Sequence, residues 1–274
     1  MRYLSFRNNG KGGWGRVAGD TIVDLTAYAP DLKTALVQGL PAEDATGPRL
    51  NRAALHLLPV IPNPGKILCV GHNYESHRVE TGRARTDHPS IFTRFADTLL
   101  GADDPIMRPG ISGDLDYEAE LAVVIGRHGR NIPEAEAMAY VAGYACFNDA
   151  SVRDWQWHTR QFTPGKNFPA TAPFGPELVT PDEIPDLSAV EVRATLNGTV
   201  MQSATLDHML FPIPAIIAYI SCFTPLAPGD VIATGTPGGV GAKRNPPVWL
   251  KPGDQIEVEI SGIGRLVSRV MQEG

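Results

Sequence analysis

The feature that most limits the fold of this chain is a series of short runs rich in β-branched residues, separated by glycine and proline. Glycine and proline number 28 and 24 of the 274 residues, a combined share well above the ~12% of average proteins. Such a pattern is typical of short strands joined by turns. The strand candidates are residues 121–125, 190–196, 231–234, 255–260 and 266–271. Because helix candidates are few, at residues 133–141 and 211–221, the sequence predicts a mainly β fold of the α+β class, with helices outside.

The first 62 residues predict a separate unit. They carry short apolar alternations, followed by a helix-like stretch at residues 31–40. A turn-forming run with two prolines, residues 61–65, then precedes a buried strand candidate at residues 66–70. We therefore expect a small N-terminal α+β domain at residues 1–62 and a larger catalytic domain at residues 63–274.

Composition argues against several classes of partner. The formal net charge is −6, and no Lys/Arg block is present to bind nucleic acid. Three cysteines without a CxxC spacing indicate neither a disulfide framework nor a zinc knuckle, and they fit a reducing compartment. The N-terminus lacks the apolar stretch of a secretory signal, and the most apolar run, residues 210–220, is too short to span a bilayer. We expect a soluble, cytoplasmic protein that acts on a small molecule.

A row of carboxylates leads into the apolar run at residues 121–125. Asp116, Glu118 and Glu120 alternate along the chain, so they share one face if this segment is a strand. Like charges on one face need solvent or a cation, and Asp149 follows a second strand candidate that can bring it close. Oxygen ligands favour Mg²⁺ or Mn²⁺ over Zn²⁺. The alternative, which fits most isolated Glu-x-Glu pairs, is the solvated face of an edge strand.

Two other segments carry candidates for acid–base and electrostatic roles. His77 and Glu80 are three residues apart, so on a helical turn they are neighbours, which suits a histidine base oriented by a carboxylate. Lys166 lies in a Gly/Pro-rich segment, where its ammonium group can face developing negative charge. The glycine-rich residues 235–241 predict either an anion cradle or, more modestly, a tight turn beside the site. A solvated surface position is the alternative for the histidine, the glutamate and the lysine.

Seven segments between residues 64 and 274, taken in order, resemble the fumarylacetoacetate hydrolase family. The segments are GHNYESHRVETG, LDYEAELAVVIG, GYACFNDASVRDWQ, GKNFPATAPFGP, NGTVMQSATLDHMLF, LAPGDVIATGTPGGVG and LKPGDQIEVEISGIGRL. The resemblance implies the family's mixed β-roll with a smaller N-terminal domain. It also implies a homodimer.

The resemblance further implies roles for individual residues. It assigns an Mg²⁺ or Mn²⁺ ion to three carboxylates: Glu118, Glu120 and Asp149. It assigns catalysis to a pair that activates water or moves a proton and to a lysine that stabilises an oxyanion: His77, Glu80 and Lys166. It assigns substrate contacts to three residues: Arg153, Gln156 and Thr236. Asp116 has no assigned role and is a candidate only for supporting the residues that touch the metal.

Two positions depart from the family pattern. Pro169 stands where the family commonly has Asp, and proline can neither ionise nor donate a backbone hydrogen bond. Any support that this Asp would give to Lys166 is therefore expected to be lost. Ser268 replaces a frequent Asn near the C-terminus, an exchange between small polar residues.

The reaction expected first from the sequence is hydrolysis of a carbon–carbon bond in a 2,4-dioxo-acid such as an acylpyruvate or a fumarylpyruvate-like compound. The metal and Lys166 would stabilise the resulting enolate. Decarboxylation, isomerisation or dehydration of a related oxo-acid is the alternative within the same chemistry. A catalytically inactive oxo-acid-binding protein is the alternative outside it. Arg83, Arg85 and Arg94 are candidates for binding a second carboxylate of the substrate.

Overall fold

A computed structural model describes residues 1–274. The strands are β1 (Arg2–Asn8), β2 (Lys11–Ala18), β3 (Thr21–Asp24), β4 (Arg49–Asn51), β5 (His56–Leu57), β6 (Ile67–Gly71), β7 (Ser90–Arg94), β8 (Leu99–Leu100), β9 (Ile106–Arg108), β10 (Leu115–Asp116), β11 (Ala119–Ile125), β12 (Val141–Asn148), β13 (Ser151–Val152), β14 (Ala172–Val179), β15 (Glu191–Leu196), β16 (Thr199–Thr205), β17 (Val231–Ala233), β18 (Gln255–Ile260) and β19 (Gly264–Gln272). The α-helices are α1 (Leu32–Gln38), α2 (Glu75–Glu80), α3 (Arg153–Gln156), α4 (Thr163–Lys166) and α5 (Ile213–Phe223). The predicted mainly β fold with a few helices is confirmed.

Most of the predicted elements are present with small shifts at their ends. The strand predicted at residues 190–196 is β15, and the helix predicted at residues 211–221 is α5, which begins beyond its first proline. Residues 133–141 differ, because they form a 3-10 helix at Glu134–Tyr140 and not an α-helix. None of the helices is both long and apolar enough to cross a membrane.

The larger sheet has the order β4-β3-β2-β1-β14-β12-β11-β17-β6-β7, with β5 and β8 attached beside it. Strand β11 lies inside this sheet, between β12 and β17. All seven of its residues are buried, which explains why its sequence is a continuous apolar run after Glu120 and not an alternating one. The strand is therefore fixed on both edges and both faces, so side chains at its start are held in place.

A five-stranded sheet, β16-β15-β18-β19-β9, covers one face of the larger sheet. Strand β15 buries alternate residues, as expected when one face of a strand packs on a core. Val192 and Ala194 of β15 belong to the same apolar cluster as Val123 of β11 and Ile216 of α5. The core between the sheets thus lies directly behind the strand that carries the carboxylates.

The N-terminal strands extend the larger sheet. Strand β1 pairs with β14 through Arg2 and Tyr3, and Trp14 and Leu36 share an apolar cluster with Phe147 of β12. Hydrogen bonding and packing therefore cross the boundary proposed near residue 62. The division into a domain at residues 1–62 and one at 63–274 stays a prediction.

Candidate active site

Three carboxylates meet where two central strands end. Glu118 immediately precedes β11, Glu120 lies in it, and Asp149 follows β12. Strands β11 and β12 are antiparallel, with Ala119 opposite Asn148, so the start of one strand lies beside the end of the other. The Asp149 backbone N–H donates to the Glu118 carbonyl, 2.9 Å away. Ligand oxygens of the three side chains lie within 4.8 Å of one another, and all three residues are buried.

Buried cations neutralise two of these carboxylates. The Lys166 ammonium lies 2.8 Å from Glu118 Oε2 and 2.5 Å from Asp149 Oδ2. Arg94 pairs with Asp149 from the other side, and Arg153 pairs with Glu118 at 2.7 Å. Burial alone would raise the pKa of Glu118, but the charges of Lys166 and Arg153 outweigh it and lower this pKa below its usual range.

Glu120 has no such cation. Its one hydrogen bond is accepted from the Gly235 backbone N–H at 2.8 Å. Burial, followed by the charges of Asp149 and Glu118, raises the pKa of Glu120 well above its ordinary value. An ionised carboxylate in this position is therefore short of positive charge.

A divalent cation fits this donor set. Four buried carboxylates, the triad and Asp116, face three buried cationic side chains, Arg94, Arg153 and Lys166, so with all four carboxylates ionised the cluster has one uncompensated negative charge. Carboxylate oxygens are the ligands that Mg²⁺ and Mn²⁺ prefer. A bound divalent ion would reverse the sign of the imbalance, and the carboxylate of an oxo-acid would then cancel it.

Asp116 supports the site without belonging to the triad. Its carboxylate accepts hydrogen bonds from Arg153 Nε at 2.8 Å and from the backbone N–H groups of Gly241 at 2.8 Å and Ala242 at 3.0 Å. Arg153 links Asp116 to the triad, because the same guanidinium nitrogen lies 2.8 Å from Asp116 Oδ2 and 2.7 Å from Glu118 Oε1. Asp116 fixes both Arg153 and the end of the glycine-rich turn.

His77 and Glu80 form a pair on α2. His77 Nδ1 lies 2.6 Å from Glu80 Oε1, and the other Glu80 oxygen accepts from the Gly239 backbone N–H at 2.8 Å. Gly239 has a φ of +106°, and a Cβ there would lie 2.2 Å from the Met201 carbonyl oxygen, so glycine is required. The glycine-rich segment 235–241 therefore orients this pair, and two of its N–H groups donate to Glu80 and Glu120.

One pocket is lined by His77 of the pair and by two of the three triad carboxylates. It encloses about 610 Å³, including its open mouth, and its lining includes His77, Glu118, Glu120 and Lys166. Lys166 reaches it from the end of the short helix α4, and not from an irregular loop.

The three residues predicted to contact the substrate also line this pocket. The polar groups of two of them already bond to other protein groups. The Thr236 hydroxyl donates to the Ala119 carbonyl and accepts from Gln202. The Arg153 guanidinium is held by Asp116, Glu118 and the Gln156 side-chain oxygen. Gln156 thereby keeps its amide N–H group as the donor that it can offer to a ligand.

The three arginines that were candidates for binding a second substrate carboxylate differ in their position relative to the pocket. Arg83 lines the pocket. Arg94 is fully buried and bonded to Asp149, Ala150 and Thr171, so that hypothesis is wrong for Arg94. Arg85 is not among the lining residues.

Pro169 does not weaken the site in the way expected. The residue is exposed, and Lys166 is held by Glu118 and Asp149 without help from position 169. Ser268 is buried in β19 opposite Ile256, away from the pocket.

Sequence reasoning missed several lining residues. They are His72, Trp157, Phe162 and Lys243. A usable signal was their position, because His72 precedes the His77 helix and the two aromatic residues lie between Gln156 and Lys166.

Comparison with known proteins agrees with the resemblance. A family model described as the C-terminal domain of fumarylacetoacetate (FAA) hydrolase matches residues 66–271. The mitochondrial oxaloacetate tautomerase of Xenopus laevis is 41% identical over 266 residues, covering 92% of this chain and 83% of that protein. The fumarylacetoacetate hydrolase of psychrophilic Exiguobacterium antarcticum has a similar structure, with a TM-score of 0.89, 36% identity and full coverage of both chains. Maleylpyruvate hydrolase from Sphingobium sp. SYK-6, in complex with manganese(II) and pyruvate, gives a TM-score of 0.80 at 29% identity, again with both chains fully covered.

Proposed function

This chain belongs to the fumarylacetoacetate hydrolase family, and we propose that it is a divalent-metal-dependent tautomerase that interconverts the keto and enol forms of a small 2-oxo-acid such as oxaloacetate. The observation that carries the proposal is the His77–Glu80 pair, 2.6 Å apart, whose histidine shares a pocket with the carboxylates Glu118 and Glu120. The 41% identical oxaloacetate tautomerase supports the same reaction class.

The basic atom in this proposal is Nε2 of His77. An ionised Glu80 can only accept a hydrogen bond, so it places the ring proton on Nδ1 and leaves Nε2 free to take one. His77 takes a proton from C3 of the oxo-acid, the C–H electron pair becomes the C2–C3 double bond, and the C2–O π pair moves to the oxygen. Solvent water gives that oxygen the proton that completes the enol, and His77 returns its proton to solvent. The reverse direction returns a proton to C3. Atoms and electrons balance without a co-reactant.

Lys166, which lines the same pocket, is suited to stabilise the negative charge that forms on the C2 oxygen. Lys166 is buried there with its ammonium between Glu118 and Asp149. When bound by Glu118, Glu120 and Asp149, Mg²⁺ or Mn²⁺ would supply Lewis-acid stabilisation of the same charge. Gln156 offers an amide N–H at the edge of the site to orient the acid.

The test is the rate at which enol-oxaloacetate converts to its keto form, which is measured as the loss of the enol absorbance. Chelator-treated protein with added Mg²⁺ or Mn²⁺ should accelerate it, and chelator alone should not. His77→Gln should lower kcat by about 10²–10⁴-fold, the usual contribution of a positioned base, while Mn²⁺ affinity stays within about twofold.

A matched control is available on the surface. His56 also pairs with a carboxylate, Asp104, at 3.1 Å, but both side chains are partly exposed and outside the pocket. His56→Gln should keep full activity. If His77→Gln keeps full activity, His77 is not the catalytic base.

Carbon–carbon bond hydrolysis of a 2,4-dioxo-acid is the second candidate. It is favoured by the similarity to a maleylpyruvate hydrolase solved with manganese and pyruvate, and it was the first expectation from the sequence. The same His77 would then activate water, and pyruvate would leave as its enolate. Formation of pyruvate and a free acid from an acylpyruvate, faster than enol-oxaloacetate ketonises, would place hydrolysis first, and carbon dioxide release from oxaloacetate would identify a decarboxylase.

We also propose a partner, an assembly state and a location for the protein. The partner is a small oxo-acid, the protein assembles as a homodimer, and it works in the cytoplasm. Light scattering coupled to size-exclusion chromatography measures the assembly, with a mass near 59 kDa expected for two 29.5 kDa chains.

A further inference from the structure

His72 lies where the backbone is unfavourable for most residues. It follows β6 and has a φ of +56°, a left-handed conformation that non-glycine residues adopt rarely and at a cost of about 1 kcal/mol or more. The next residue, Asn73, is buried and donates its side-chain N–H groups to the carbonyls of Thr234 and Phe211. The loop is thereby fixed, and the His72 side chain is directed to the pocket that it lines.

Both ring nitrogens of His72 are buried without a protein hydrogen-bond partner. Leaving a buried polar group in this state costs about 1–3 kcal/mol, and such groups are few in native proteins. The ring is instead held through its carbon faces and edges. It stacks on His77 with centroids 5.1 Å apart and meets Phe162 edge-on at 6.0 Å.

The surroundings of His72 keep it uncharged. Burial, followed by the neighbouring His77 charge, lowers the pKa of His72 to about 4, while Glu118 opposes this and Arg83 and Lys166 add to it. Near neutral pH one ring nitrogen is therefore a donor and the other an acceptor. A neutral imidazole matches an oxygen of a ligand through one hydrogen bond and does not compete with the cations for its carboxylate.

We propose that His72 is a substrate-binding residue that hydrogen-bonds to the oxygen on C4 of the oxo-acid. This inference rests on the proposed function only in requiring an oxo-acid with an oxygen on C4, which both oxaloacetate and acylpyruvates have. The His72 and His77 rings stack with centroids 5.1 Å apart and line the same pocket, so one small ligand can contact both. With His77 at C3 and the C2 oxygen turned to Lys166, the remaining neighbour is C4.

The experiment compares two variants and two ligands. His72→Leu keeps the bulk of the side chain, and His72→Gly removes the backbone strain, so an effect shared by both reports the lost nitrogens. With metal-loaded protein, KM for enol-oxaloacetate should rise about tenfold or more, the worth of one hydrogen bond to a charged oxygen. Inhibition by oxalate, which has two carbons and no C4 oxygen, should stay within about twofold. His88, an exposed histidine that stacks on Tyr219 at 5.5 Å outside the pocket, supplies the control His88→Leu, which should change neither constant.

Equal weakening of oxaloacetate and oxalate, or no change in either, would overturn the assignment. If oxaloacetate is not turned over by the wild type, KM for an acylpyruvate replaces it in the same comparison. If neither acid is turned over, the proposed function fails, and calorimetric affinities for oxaloacetate and oxalate on the Mn²⁺-loaded protein still decide the role of His72. A selective loss for oxaloacetate supports it, and an equal loss rejects it.

Discussion

The two groups of side chains around the pocket differ in how their polar atoms are paired. On the triad side, formed by Glu118, Glu120, Asp149 and their cationic partners, charge is fixed by close ion pairs, with Glu120 alone lacking a cation. On the histidine side, formed by His72, His77 and Glu80, no lysine or arginine pairs with the carboxylate of Glu80, which accepts from His77 and the Gly239 N–H, and His72 has no protein partner for either nitrogen. The fold therefore fixes the carboxylates and their cations in place, and it leaves His72 and His77 available to a ligand.

Glu120→Gln should have the largest effect and acts on the triad side. A raised carboxyl pKa means that the folded protein favours the protonated form, so the ionised form costs stability at neutral pH. The neutral amide should therefore raise Tm in chelator while abolishing tight Mn²⁺ binding and lowering activity at least 10³-fold. Calorimetric titration and thermal unfolding measure the two opposite changes.

An exposed glutamate, Glu136, provides the control for that variant. Glu136→Gln should change neither Mn²⁺ affinity nor Tm. A lower Tm in chelator for Glu120→Gln, with Mn²⁺ affinity intact, would contradict the assignment of Glu120 to an ion.

Glu80→Gln should have an intermediate effect, confined to the histidine side. Glu80 accepts from His77 with one oxygen and from the Gly239 N–H with the other, whereas Gln has an NH₂ group in place of one of these oxygens and loses one of the two contacts. We expect kcat to fall about 10–100-fold, the usual effect of losing a group that orients a functional side chain, with Mn²⁺ affinity unchanged. Glu75→Gln is the matched control, because Glu75 lies on the same helix but pairs with Arg78; a similar loss there would show that the helix and not the pair was disturbed.

The smallest expected effect is the contribution of His72 to the pH dependence of the free energy of unfolding. Because the pKa of His72 is lowered from 6.5 to about 4 in the fold, the unfolded chain binds the proton more readily and stability falls as pH drops from about 6.5 toward 4. After allowance for partial exposure, His72 should account for about 1–2 kcal/mol of this fall. Urea unfolding of the chelated wild type and of His72→Leu measures it, and parallel pH slopes in the two proteins would reject this contribution.

Much of the fold followed from local pattern, but the contacts inside the site did not. The apolar run at residues 121–125 and the alternation at residues 190–196 predicted strands, because burial on two faces or one face leaves that trace in a sequence. The sequence also pointed to Asp149 beside Glu118, through a family resemblance. Nothing local showed that Arg94 would be buried against Asp149 or that the Thr236 hydroxyl would be used up by Ala119 and Gln202, since both depend on pairing between distant strands.

The most direct measurement is exchange of the C3 protons of oxaloacetate for deuterium, followed by proton NMR in D₂O with chelator-treated protein. The account predicts rapid exchange only when Mg²⁺ or Mn²⁺ is added, its near-complete loss in His77→Gln, and full exchange in His56→Gln. Exchange that proceeds equally well without metal, or that survives in His77→Gln, would contradict the claim that His77 moves a proton at a carbon held beside the carboxylate triad.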